Sequence, residues 1–487
     1  HVEGWGDVQP NAVVSQWSTV SRGLGYLTSL FVLHADGQSR LTAGDPQSNI
    51  DFSTQVPTHP LQKAYIRPEI EHALSSQALA AFGTRVTVDR YAGARIALRI
   101  GTPPVLSTPN GAPTEEYLDQ LKALPPLQEQ GDGVRSYLGL LLHMLGATQQ
   151  IILVDEPEAF LHPPQARQLG SVLAERTEAR QSFIATHSAD VLQGVLQAET
   201  QTTIVRITRS GNVNHAAVLD HTAVDELWSD PLLRYSNLMD GLFHDAVVLC
   251  EGDADCRYYG AVLDSLNATE GRPAEDKALQ LLFTHCGGKA RMASVIRALR
   301  SAGVPVVVVA DFDILKDKND VEKIVSALGG DFSVFESDLR IVGQSLLSDS
   351  RPLRKTALRD EMTSKIDAIP NELVSPSDVA ALRPLLHADN GWDKAKRAGV
   401  HAITQGDASA ASNRLLEALA GLGVLVVPVG ELERFVQDVS GHGPAWVTAV
   451  LENNLHKSPS PEATDFVTKL RTAAARVASK QQTPLNP

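Results

Sequence analysis

Two short runs of apolar, mostly β-branched residues, each ending in acids, constrain this chain most. Residues 246–255 read AVVLCEGDAD and residues 304–313 read VPVVVVADFD. Runs of that length and composition are strands buried on both faces, and the helical spacing between them makes the pattern a parallel βαβ unit. Parallel strands point the same way. Glu251 and Asp255 after the first run, and Asp311 and Asp313 after the second, therefore reach one edge of the sheet, where open α/β folds place their sites. A lone carboxylate past a strand is an ordinary loop or capping residue. Several packed together repel one another unless a divalent cation sits among them, and carboxylate oxygens are the ligands that Mg²⁺ prefers. The residues predict a metal site for phosphate chemistry.

EGxxD after one strand and DxD after another resemble the Toprim domain of topoisomerases, primases and OLD-family nucleases. Glu251, Asp255, Asp311 and Asp313 match that domain's glutamate and its later acid pair. The GGK at residues 287–289, after the strand-like LQLLFTHC, fits the turn between them.

A chain of 487 residues has room for two or three domains with real cores. Its 43% hydrophobic and 21% charged content is that of an ordinary globular protein, and no run reaches the length of a membrane span, so the expected location is cytoplasmic. Cys250, Cys256 and Cys286 lack zinc-ligand spacing and cannot all pair, which fits a reducing compartment. A formal charge of −14 excludes a surface that attracts nucleic acid everywhere. Any DNA contact has to use a local basic strip, with metal ions offsetting the acidic site.

A second chemical region lies upstream. IILVDEPEAFLHP (residues 151–163) is an apolar strand followed by Asp155 and Glu156, the pattern of a Walker B strand. In that chemistry the aspartate holds Mg²⁺ and the glutamate positions the water that attacks the γ-phosphate. Before it, QGDGVRSYLGLLLHML (residues 130–145) opens an apolar helix with Gln130, Gly131 and Gly133, and backbone amides at such a start bind phosphate oxygens. After it, FIATHSADVL places His187 just past another apolar run. The order resembles ABC-type ATPases: signature loop, Walker B, switch histidine. DEPEAFLHPPQ resembles the DEPExxLHPxxQ form of the OLD family.

No GxxxxGK[ST] occurs; GGKA at residues 287–290 lacks the first glycine and the hydroxyl residue. The family carries that loop near its amino terminus, so the resemblance implies a first segment outside the numbered sequence, which begins at His1. The alternative is a degenerate ATPase.

Elsewhere the signals are structural. A helix is expected near residues 68–82, strands at residues 85–91 and 94–100 with Gly93 in a tight turn, and a loop at residues 102–113. TTIVRIT and NHAAVLD read as strands closing the first domain, with a boundary near Gly241. Beyond a charged helix at residues 320–328 the βαβ rhythm stops. Residues 345–400 bring in Arg351, Arg354, Lys355, Arg359, Lys365, Lys394, Lys396 and Arg397. Such runs read either as a solvated helical face or as a helical insertion gripping DNA phosphates, with Arg354, Lys355, Lys394, Lys396 and Arg397 as the candidates. GVLVVPVGELERF (residues 423–435) restores the strand pattern and ends at Glu431 and Glu433. The OLD-family resemblance implies that this late pair holds a second metal and that Lys457 stands at the catalytic lysine's position. The polar tail from Lys480 is expected to be disordered.

The expected fold is α/β: an ABC-type ATPase domain (residues 1–240) without its phosphate-loop segment, then a Rossmann-like parallel-sheet Toprim domain (241–345 and 421–487) with a helical insertion (346–420). The resemblance implies an ATPase-coupled, metal-dependent DNA endonuclease using ATP and two Mg²⁺ or Mn²⁺ ions. Glu251, Asp311, Lys457 and Glu156 would be catalytic. Glu251, Asp255, Asp311, Asp313, Glu431, Glu433 and Asp155 would be metal ligands, and Gln130, Gly131, Gly133, Asp155, Glu156 and His187 would bind ATP. It also implies a homodimer through the ATPase heads, a role in phage defence or DNA processing, and room for an accessory defence protein. Two other readings stay open: a Toprim strand-passage or primase-type enzyme, and a nucleotide-gated DNA clamp without nuclease activity.

Overall fold

In the computed structural model the strands of the first unit, His1–Thr202, are β1 (Val32–Ala35), β2 (Gln47–Ser48), β3 (Val86–Asp89), β4 (Arg95–Ile100), β5 (Ile151–Asp155) and β6 (Gln181–Ala185). The structure describes residues 28–106, 112–175, 180–229, 237–269, 279–348, 355–371, 373–382, 385, 391–403 and 406–481, with isolated positions before residue 28. β1, β5 and β6 form a parallel sheet in the order β1-β5-β6, with Ile151 opposite both Val32 and Gln181. Its buried face packs on the helix Asp132–Gly146, in which Tyr137, Leu138, Leu140, Leu141 and Leu142 are fully buried. A helix apolar on nearly every side belongs inside a core, and this one is the unit's spine. β2, β4 and β3 form a separate antiparallel sheet, and the helix Pro68–Phe82 and the turn at Gly93 (φ +74°) lie where the sequence predicts them.

The second unit, Thr203–Pro487, begins with a hairpin, β7 (Ile204–Ser210) and β8 (Val213–Leu219). The sequence reading assigned these strands to the first domain, with a boundary near Gly241. In the structure the hairpin groups with the second unit, where the Arg206 guanidinium donates to the carbonyls of Leu242 (2.8 Å), His244 (2.8 Å) and Gly303 (2.6 Å). Strand periodicity does not register long-range bonds of this kind.

The second unit's sheet contains β9 (Ala246–Cys250), β10 (Leu281–His285), β11 (Val306–Ala310) and β12 (Val424–Val426), all parallel, in the order β10-β9-β11-β12. β9 and β11 are buried at every position, as their unbroken apolar composition requires. The chain leaves β9 to one side and returns on the other, so the topological switch point lies between β9 and β11. Ligands of open α/β sheets bind at the carboxyl ends there. The core above this sheet includes Tyr258, Tyr259, Phe435, Trp446 and Phe466.

Between β11 and β12 the chain is helical: Lys318–Ala327, Ser333–Ser348, Lys355–Asp367, Pro376–Leu382, Gly391–Ala398 and Asp407–Leu422. The closing helix Pro461–Gln481 runs through Lys480, so the tail expected to be disordered from that residue is ordered as far as Gln481. Residues 482–487 lie outside the described residues. Among the described residues no helix is long and apolar enough to cross a membrane.

Candidate functional site

The acids of the second unit meet at the switch point. Glu251 follows β9 and Asp311 follows β11, and Glu251 Oε1 accepts the Asp311 amide at 3.2 Å. Asp255 stands in the first turn of the helix Asp253–Thr269, its Oδ2 accepting the Gly252 amide at 2.9 Å. Asp313 lies in a short turn and pairs with Lys289 Nζ at 3.1 Å.

The loop after β12 is stitched to the same edge. Val427 donates its amide to Ala310 O at 2.9 Å, and Phe312 donates to Gly430 O at 2.8 Å. Gly430 has φ +110°, and a Cβ there would lie 2.3 Å from Lys396 O, so only glycine lets the insertion helix Gly391–Ala398 press onto this loop. Next come Glu431, only 5% exposed and held through Oε1 by Arg434 Nε and Nη2 (3.2 and 3.1 Å), and Glu433, whose Oε1 accepts the Gly443 amide at 2.8 Å. His442 Nδ1 is 3.5 Å from the same oxygen, and ligand atoms of Glu431, Glu433 and His442 all lie within 4.8 Å of one another.

Crowding shows in the electrostatics. Burial, then the charges of Glu251, Asp255 and Asp313, push the Asp311 carboxyl up to about 9, with Lys396 opposing. Burial, then Asp313, raise Glu251 to about 7 against the pull of Lys289. Burial raises Asp255 to about 6; Glu433 adds to the rise, and the Gly252 amide and His285 oppose it. Glu433 therefore acts electrostatically on the first acid group. Among the described residues, the three ligands whose atoms already lie within 4.8 Å of one another are Glu431, Glu433 and His442; Glu251, Asp255, Asp311 and Asp313 act on one another through charge, and carboxylates held against such repulsion suit a hard divalent cation. The trio with His442 adds an imidazole nitrogen, which also suits Mn²⁺ and its neighbours in the first transition row.

The basic candidates divide. Lys396 acts electrostatically on Asp311, although its side chain is exposed, and Arg397 and Lys355 are exposed on their helices. Lys394 is half-buried, and Arg354 lies outside the described residues. Lys457 ends the turn Leu455–Lys457 and is exposed; among the described residues no ion pair joins it to these acids. Lys289, Arg434 and His442 are the neighbours that sequence reasoning missed. Each reaches its acid by tertiary contact or across a turn without a motif, although the GGK had been placed as a turn.

In the first unit Asp155 ends β5 and Glu156 continues the ladder, donating its amide to Ala185 O at 2.8 Å. Glu156 has φ +44°, a left-handed conformation costly for a residue with a Cβ. The Arg40 side chain, in a residue only 1% exposed, donates to Asp155 O (2.6 Å) and Glu156 O (3.0 Å) and holds this turn. His187 Nε2 lies 3.6 Å from Glu156 Oε1. Glu158 Oε1 accepts the His187 amide (2.8 Å) and the Thr186 hydroxyl (2.9 Å), fixing the histidine's loop. Gly131 caps the helix Asp132–Gly146, Gln130 Nε2 donates to Pro126 O at 3.2 Å, and a Cβ on Gly133 would lie 2.6 Å from Phe160 O. Gly133 thus packs on the loop that follows Glu156. Arg40 and Glu158 are the additions here: nothing in ADGQSR marks the first, and the second sits unassigned inside the DEPE run.

Comparisons with known proteins agree with the order of these two sites. Residues 107–192 match a family described as "AAA domain, putative AbiEii toxin, Type IV TA system". Residues 242–313 match the "Overcoming lysogenization defect protein-like, TOPRIM domain". The chain carries an AAA ATPase domain followed by an OLD-like TOPRIM domain, the arrangement of an OLD-family ATPase and Toprim nuclease. No curated protein matches. Among solved structures, an SmcHead bound to the C-winged helix domain of ScpA is similar over 31% of this chain at 12% identity and TM-score 0.24, and the match spans 42% of that chain. An SMC ATPase studied for ATP-driven dimerization and DNA-stimulated activation is similar over 34% of this chain and 95% of its own at 11% identity, also with TM-score 0.24.

Proposed function

We propose that this chain is an ATPase-coupled, divalent-metal-dependent DNA endonuclease of the OLD type. The observation that carries this reading is the meeting of Glu251, Asp255, Asp311 and Asp313 at the switch point between β9 and β11, with Glu433 acting on Asp255. Two Mg²⁺ or Mn²⁺ ions held there would polarise the scissile phosphate and activate the attacking water. Glu251, Asp255, Asp311 and Asp313 would hold one ion, and Glu431, Glu433 and His442 the other. Water's oxygen would bond to phosphorus as the bond to the 3′-oxygen breaks. Lys394, Lys396 and Arg397, on the helix pressed against Gly430, would meet neighbouring DNA phosphates, with Lys355 on a separate helix of the insertion. Lys457, in a turn packed against the helix Asp253–Thr269, would serve as the family's lysine.

In the first unit Asp155 would hold the nucleotide's metal, Glu156 would orient the attacking water, His187 would sense the γ-phosphate, and the Gln130, Gly131 and Gly133 turn would face ATP bound by a second copy. The expected protein is a cytoplasmic homodimer in phage defence or DNA processing, with or without an accessory protein.

The test is a plasmid assay with Mg²⁺ or Mn²⁺, with and without ATP. Wild type should linearise or nick supercoiled DNA without resealing it, and Asp311→Ala should abolish this. Resealed topoisomers would favour strand passage. DNA binding without cleavage, unchanged by Asp311→Ala, would favour a clamp.

A further inference from the structure

The backbone of residues 286–288 is tied to the end of β9. Cys286 donates its amide to Cys250 O at 3.3 Å, and Gly288 donates to Glu251 O at 3.1 Å. Gly287 (φ +71°) and Gly288 (φ +120°) turn the chain through conformations open to glycine, and Lys289 follows directly. Lys289 is rooted beyond β10, on one side of β9, yet its ammonium reaches Asp313 beyond β11 on the other side, at 3.1 Å. The side chain thus spans the switch point, and it remains 35% exposed. The sequence reading places it in the GGK turn without giving its side chain a role.

We propose that Lys289 is a two-position residue of this site. Without divalent ions its ammonium neutralises Asp313; once ions take the carboxylates, it turns to a non-bridging oxygen of the bound DNA phosphate. The inference rests on the metal-site reading above. A lysine suits such a part better than an arginine: its charge is compact, its three donors rotate, and its four-carbon stem lets it change partner without backbone movement. Its place across the mouth, partly open to solvent, leaves the ammonium free to leave Asp313 for a phosphate that enters there.

The experiment measures Mn²⁺ affinity of the full chain by electron paramagnetic resonance, and plasmid cleavage at saturating Mn²⁺, for wild type, Lys289→Met and Lys289→Arg. Removing a cation that competes for Asp313 should tighten Mn²⁺ binding in Lys289→Met, by roughly threefold to tenfold, with Lys289→Arg close to wild type. Cleavage by Lys289→Met should fall on the order of a hundredfold despite full metal occupancy, and Lys289→Arg should recover part of it. Unchanged or weaker Mn²⁺ binding in Lys289→Met, with thermal unfolding in EDTA showing that the variant folds, overturns the seat at Asp313. Tighter binding with wild-type cleavage overturns the phosphate position. A wild-type chain that binds Mn²⁺ but never cuts overturns the nuclease reading and the phosphate position together, while the affinity comparison still decides the seat.

Discussion

The amide of Asp311 donates to Glu251 Oε1 at 3.2 Å, joining the first residue after β11 to the first after β9. Because that bond uses the Asp311 backbone, its carboxylate stays available, half-buried among other acids. A group arranged this way weakens the fold while it prepares a site. Asp311→Asn should therefore raise the melting temperature in EDTA by a few degrees while weakening Mn²⁺ binding at least tenfold and removing cleavage. Calorimetry with and without Mn²⁺ reads both effects. A variant that melts lower than wild type in EDTA contradicts the account.

The same acids set a pH dependence. In the fold Asp311, Glu251 and Asp255 are raised to about 9, 7 and 6, each above the ordinary carboxylate value, so between pH 4 and pH 9 the folded chain binds protons that the unfolded chain has released. Stability then falls as pH rises through that window. Divalent ions need the deprotonated acids, so stabilisation by Mn²⁺ grows in the same direction. Melting temperatures in EDTA at about pH 5.5 and pH 8.5 should drop with pH, Mn²⁺ should narrow or reverse the drop, and Asp311→Asn should flatten it. An EDTA profile with the same slope in wild type and Asp311→Asn would rule out these acids as its cause.

The edge that carries the acids was legible in the sequence because it rests on short-range rules. Unbroken β-branched runs specify buried strands, and parallel strands bring their ends together, so Glu251 and Asp311 followed once β9 and β11 were recognised. The helix Pro68–Phe82 and the turn at Gly93 were legible for the same reason. What stayed hidden depends on contacts between distant segments. Arg206 bonds the β7–β8 hairpin to Gly303, Lys289 crosses to Asp313, and His442 returns to Glu433 after a loop. Arg40 lies 115 residues from the turn it supports. Periodicity carries no information about such pairs.

Gly430 gives a test of how the late acids are placed. Gly430→Ala must adopt φ near +110° and also press a methyl against Lys396 O, 2.3 Å away, whereas Gly441→Ala pays for a similar φ (+108°) with open space around it. Strain of this kind costs about 1–3 kcal/mol, so both variants should melt lower. The loss in Gly430→Ala should be clearly the larger and should be joined by weaker Mn²⁺ binding, because Glu431 follows directly. Equal losses in the two variants would mean that the insertion helix does not fix this loop.

Arg40 makes the corresponding argument for the first unit. Its guanidinium is buried and satisfies the carbonyls of Asp155 and Glu156 just where Glu156 takes φ +44°. The helix Asp132–Gly146 closes over it so tightly that a Cβ on Gly139 would lie 1.9 Å from Arg40 O. Arg40→Met keeps most of the volume but leaves both carbonyls without their donor, a loss of about 2–4 kcal/mol. It should release the turn before it unfolds the unit. Hydrogen exchange followed by mass spectrometry should show faster exchange of the Glu156 amide, now bonded to Ala185 O at 2.8 Å, while the buried helix Asp132–Gly146 keeps its protection. Unchanged exchange at Glu156 in a folded Arg40→Met chain would show that the ladder with β6, and not the arginine, holds the glutamate in place.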